Sequence, residues 1–167
     1  MVLKPQDVVV LLKLAVVGGE WSYPSLAHAL GMSASEVHNA IRRASDSGLM
    51  NLTTKRPNRQ ALVEFLVHGL RYVFPAVRGG VTRGLPTAHG APPLKDRFAA
   101  GGESVPVWPD PEGEVRGEEL RPLYKSVPVA ARRDPALYEL LALLDAVRAG
   151  RSRERAIAID ELKRRLS

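Results

Sequence analysis

The stretch Tyr23–Leu49, YPSLAHALGMSASEVHNAIRRASDSGL, decides the reading of this chain. Ala27 is small enough for two helices to approach closely. Gly31, four residues on, tolerates the positive φ that a tight inter-helix turn requires. Met32 is placed to plug the gap behind that turn, and Val37, Ala40 and Ile41 recur at helical spacing to return the next segment to a core. Ser33-Ala34-Ser35-Glu36 is a capping box, in which the Glu36 amide donates to the Ser33 hydroxyl and the Ser33 amide donates to the Glu36 carboxylate. The spacing predicts a helix-turn-helix, whose second helix stands out from the body where it can enter a DNA major groove.

Short helical hairpins with an alanine, a glycine and a capping box also occur in ordinary helical cores and in interaction modules. The exposed side of the second helix separates the readings. With its buried positions removed, Ser33, Ser35, His38, Asn39, Arg42 and Arg43 remain. Asn pairs bidentately with adenine and Arg with guanine, while Ser, Lys and Arg hold phosphate oxygens. A face that is only solvated more often mixes Glu with Lys. Duplex DNA is therefore the expected partner.

Working outward, residues 5–17 read as a first helix. Pro5 suits its opening turn, Asp7 its positive dipole end, and Gly18-Gly19 stop it. Val8, Leu11, Leu12, Ala15 and Val16 follow helical spacing, but Val9 and Val10 make the helix apolar nearly all round. It is expected to pack between the hairpin and a partner subunit, with Trp21 as a core or hinge anchor. Beyond the hairpin, Gly48 is a helix stop and residues 49–54 are short and strand-like. Lys55-Arg56-Pro57-Asn58-Arg59 makes a basic turn. Residues 60–68 read as helix, because Ala61, Leu62, Phe65 and Leu66 share one face; the basic turn alone would then touch the backbone.

On these residues the N-terminal part, about 3–66, resembles the winged helix-turn-helix transcriptional regulators in the broad MarR-type sense. The resemblance implies pairing through terminal helices, and the expected function is sequence-specific binding of duplex DNA as a homodimeric transcriptional repressor. On that reading Ser33, Ser35, His38, Asn39 and Arg42 face the major groove. Arg43, Lys55, Arg56 and Arg59 hold phosphates and set register.

Residues 79–128 contain eight prolines and eight glycines, which exclude long regular helices. Phe98, Trp108, Leu120, Leu123 and Tyr124 need somewhere to bury, so the stretch is expected to be an ordered, irregular arm lying across the body or a dimer partner. A loose hairpin is expected over 105–117, around Asp-Pro-Glu-Gly. Arg78-Gly79-Gly80 and Thr82-Arg83-Gly84 make a poor nucleotide loop. Helix returns after Asp134, a cap, and Pro135, with Leu137, Leu140, Leu141, Leu144 and Val147 in one stripe. Gly150 ends it, and a second helix runs from near Ser152 to Leu166. The stripe suits packing on the head, dimerisation, or both.

The expected fold class is thus mainly α: a winged helix-turn-helix head (1–78), an irregular Pro/Gly-rich arm (79–128) and a C-terminal helical pair (129–167). A net charge of +6 on 167 residues favours an anionic partner. It is spread as +4, −1 and +3 over those three parts. With no cysteine, disulfides and thiolate metal sites are excluded. The apolar start carries Asp7 and Lys13, so neither a membrane span nor a secretory leader is expected, and the cytoplasm is the simplest location.

No metal, cofactor or catalytic residue is expected. His28, His38, His68 and His89 lack ligand spacing, and no nucleophile–base set or phosphate loop is present. Asp145 with Arg148, and Glu154 among Arg151, Arg153 and Arg155, read as helix-surface ion pairs beside a basic patch. A different class of function stays open: an antitoxin-like or adaptor protein whose arm and C-terminal helices hold a partner from the same operon, with the helix-turn-helix serving autoregulation. A ligand-responsive regulator is a third.

Overall fold

The computed structural model describes residues 1–98 and 104–167; part of the expected arm, 99–103, lies outside them. α1 (Pro5–Val16) opens on its proline, with the Lys4 amide donating to Asp7 Oδ2 at 2.8 Å. Val8, Val9, Val10, Leu11, Leu12 and Leu14 are all buried, which accounts for a helix that is apolar nearly all round. α2 (Tyr23–Leu30) is capped by Ser22 and ends on Gly31, whose φ of 66° is the left-handed turn expected there. α3 (Ala34–Asp46) starts from the Ser33–Glu36 box, with amide-to-oxygen distances of 2.7 and 3.0 Å. Ala27, Met32, Val37, Ala40 and Ile41 are buried, as their spacing requires.

Two-residue strands follow, β1 (Met50–Asn51) antiparallel to β2 (Arg56–Pro57). α4 (Arg59–His68) is capped by Asn58 and buries Leu62 and Leu66, so this segment is helical, as its apolar face indicated. α5 (Leu70–Val73) is a single turn.

The middle of the chain is not irregular. β3 (Arg78–Pro86), β4 (Pro106–Pro109) and β5 (Val115–Leu120) close into a three-stranded barrel, with a short 3-10 turn at Ala88–Gly90. The expected hairpin over 105–117 does not form, because β4 and β5 run parallel and each pairs antiparallel with β3. Closure this tight explains the glycines. A Cβ on Gly84 would lie 2.0 Å from the Trp108 carbonyl oxygen, and one on Gly113 would lie 2.4 Å from the Gly84 carbonyl. Glycine here permits backbone approach, not disorder.

α6 (Val127–Arg133), α7 (Pro135–Ala149) and α8 (Ser152–Leu166) complete the chain. Asp134 Oδ1 accepts the Ala136 and Leu137 amides at 3.0 and 3.2 Å, so the expected cap and Pro135 open α7. The whole stripe, Leu137, Leu140, Leu141, Leu144 and Val147, is buried within the chain, and α7 touches α1, α5, α6 and α8. The side of α1 expected to meet a partner subunit meets α7 instead. Among the described residues there are eight α-helices beside sheets of two and three strands and 54% of positions are helical, so helices carry the architecture.

Asp145 corrects the surface-ion-pair expectation. It is 1% exposed and accepts from Thr87 Oγ1 and Trp108 Nε1, both at 2.7 Å, and from Arg148 Nη1 at 2.9 Å. Burial pushes its carboxyl upward against the pull of these donors. Arg148 also donates to the Phe74 carbonyl at 2.8 Å. The network ties the barrel and the chain after α5 to α7. Among the described residues no helix is long and apolar enough to cross a membrane.

Candidate nucleic-acid interface

α3 is a two-faced helix. Val37, Ala40, Ile41 and Ala44 are buried against α1 and α2, and Ser35, His38, Asn39 and Arg42 are exposed on the other side. Among the described residues, the side chains of Ser35, Asn39 and Arg42 make no hydrogen bond or ion pair within the chain. Four hydrogen-bonding side chains thus line one strip of a helix whose opposite strip holds it rigidly to the core. Ser33 is exposed at the N-terminus of α3, but its hydroxyl and amide are both spent on Glu36.

The basic residues divide. Lys55 is exposed at the tip between β1 and β2, and its φ of 58° is a left-handed conformation uncommon for a side-chain-bearing residue. Its ammonium is unpartnered among the described residues. Arg43, expected on phosphate, instead forks onto Asp7, with Nε to Oδ2 at 2.9 Å and Nη2 to Oδ1 at 2.8 Å. Its side chain is 11% exposed and that of Asp7 not at all. Arg56 and Arg59, expected beside it, turn inward too. Arg56 donates to the carbonyls of Val17 (3.2 Å) and Gly19, and Arg59 to that of Ala15 at 2.7 Å. These carbonyls close the C-terminal end of α1, where cations and donors are favourable. So three of the expected phosphate contacts hold the fold together.

Two contacts flank α3 that the sequence did not indicate. On one side, the His38 ring lies 5.1 Å from Tyr23, and Tyr23 lies 5.6 Å edge-on from Trp21. Trp21 Nε1 donates to the Lys55 carbonyl at 3.0 Å, so this ring series ties α3 to the β1–β2 tip. A cleft of about 460 Å³ opens between the start of α2 and the β1–β2 tip, lined by Trp21, Tyr23, Met50, Leu52 and Lys55 among others. On the other side, the Tyr124 hydroxyl donates to Glu36 Oε1. The Ser33 amide, then this hydroxyl, hold the Glu36 carboxyl below its usual range, and the same bond pushes the Tyr124 hydroxyl up to about 12. Partners 88 residues apart leave no periodic trace in a sequence.

Elsewhere, His89 Nδ1 lies 3.3 Å from Glu154 Oε1 in a cleft of about 250 Å³ beside Arg78. Among the described residues no group of three His, Asp or Glu side chains is placed to hold a metal ion. Set against known protein families, curated proteins and solved structures, the chain matches none of them.

Proposed function

We propose that the protein is a winged helix-turn-helix regulator that reads duplex DNA through α3, acting as a homodimeric repressor. The observation that carries this reading is the exposed strip Ser35, His38, Asn39 and Arg42, in which Ser35, Asn39 and Arg42 make no hydrogen bond or ion pair within the chain, backed by a fully packed face. Asn39 and Arg42 have the donor and acceptor geometry for adenine and guanine edges. The β1–β2 turn serves as a minimal wing, with Lys55 on a phosphate. The homodimer no longer rests on the α7 stripe, which the chain itself covers. Its support is the exposed apolar run Tyr72, Val73 and Val77 in and after α5, since exposed apolar surface is what association covers.

The test is fluorescence anisotropy with duplex from upstream of the chain's own gene, against scrambled duplex, over a salt series. Binding that prefers the upstream duplex near physiological salt is expected. Arg42→Ala should cost about 1–3 kcal/mol on that duplex and relax discrimination. Unchanged affinity in Arg42→Ala would remove α3 as the reader. Equal, steeply salt-dependent binding to both duplexes would leave only a basic surface. The partner-protein reading would then come forward.

A further inference from the structure

Positions 36 and 38 stand about 200° apart around a helix of 3.6 residues per turn, so their side chains leave α3 on opposite flanks of the exposed strip. His38 leads through Tyr23 and Trp21 to the Lys55 tip. Glu36 leads to Tyr124 and, next in the chain, Lys125. Lys125 is exposed, its ammonium lies 5.8 Å from the Tyr124 ring, and its charge helps to keep Glu36 ionised. The segment is firmly placed. α6 behind it is seated on the α2–α3 turn, so that a Cβ on Gly31 would lie 3.4 Å from Val129 and 3.5 Å from Ser126. One cation is therefore held on each flank of the strip, and the second comes from a part of the chain far outside the head.

A helix in a major groove has a phosphate backbone on either side, and contacts to both fix its depth and register. We propose that Lys125 is a phosphate contact on the far side of the groove from Lys55, making the Tyr124–Lys125 segment part of the DNA interface. This rests on the duplex-DNA reading above. The Glu36 carboxylate stays ionised, but the Ser33 amide and the Tyr124 hydroxyl that donate to it and the nearby Lys125 charge offset its repulsion of a polyanion on this flank.

Lys125→Ala is compared with Lys163→Ala, an exposed lysine on α8 that removes the same net charge, and with Arg42→Ala. Each is titrated by anisotropy against labelled upstream and scrambled duplexes over a salt series. Lys125→Ala should weaken both duplexes by the same factor and reduce the slope of log K against log salt by about 0.9, the value for one phosphate contact. Lys163→Ala should leave the slope at the wild-type value. If Lys125→Ala keeps the wild-type slope while Arg42→Ala still weakens the upstream duplex, Lys125 is not in the interface and the DNA reading stands. If Lys163→Ala lowers the slope equally, net charge alone is responsible and the proposal fails. Wild-type protein that binds neither duplex overturns both readings.

Discussion

Arg42 and Arg43 are neighbours of one residue type with opposite surroundings. Arg42 is exposed and uncommitted, whereas Arg43 spends two nitrogens on the fully buried Asp7. Removing one partner of a buried pair leaves the other charge uncompensated, at a cost of about 3–5 kcal/mol, while an exposed change away from such features costs within about 0.5 kcal/mol. Arg43→Ala should accordingly lower stability by about 3 kcal/mol in urea unfolding and leave the DNA affinity of the folded fraction unaltered. Arg42→Ala should do the reverse. An Arg43→Ala protein of wild-type stability but weakened DNA binding would return Arg43 to the phosphate role. This distinction was not legible in the sequence, because an arginine 36 residues from its carboxylate looks the same as one facing a phosphate. Arg56 and Arg59 misled for the same reason, their carbonyl partners lying 37 to 44 residues away.

At the scale of elements, what was legible is what is encoded locally. The Ser33–Glu36 box, the left-handed Gly31 and the Asp134–Pro135 start of α7 each involve residues within a few positions of one another, and each is in place. The barrel was not legible, because its register depends on pairs such as Leu85 with Trp108 and its glycines serve contacts visible only after closure. Two substitutions in this module test that account. A Cβ at Gly113 would lie 2.4 Å from backbone atoms of Gly84, whereas one at Gly80 in β3 would meet nothing within 4 Å. Gly113→Ala should therefore destabilise by about 1–3 kcal/mol, the range for overpacking a close contact. Gly80→Ala should stay within about 0.5 kcal/mol. Urea unfolding followed by the fluorescence of Trp108, which is fully buried, reads both. Equal effects would mean that glycine acts here through chain flexibility and not through contact.

At the scale of the whole molecule, the three parts read from composition share one hydrophobic core, with members from α1, α3, the barrel and α7. α1 is the reason. A helix apolar nearly all round needs cover on every side, and α3 supplies only part of it. α7 supplies more, and Lys13 Nζ meets Asp134 Oδ2 at 2.6 Å where the two helices join. The Asp134 carboxyl stays below its usual range although burial opposes its ionisation, because Lys13 and the Leu137 and Ala136 amides outweigh it. Residues 1–78 alone would leave much of α1 facing water, an apolar exposure that costs about 25 cal/mol per Å² on a chain already short for an independent core. The fragment is therefore expected to show no cooperative urea transition and to bind the dye ANS, as a collapsed but unpacked chain does, while the full chain unfolds cooperatively. Should the fragment unfold in one sharp transition and bind the upstream duplex as tightly as the full chain, the head would be autonomous. Neither α7 as the lid of α1 nor Lys125 as a DNA contact would survive that result, since both require the C-terminal half to complete what the N-terminal half begins.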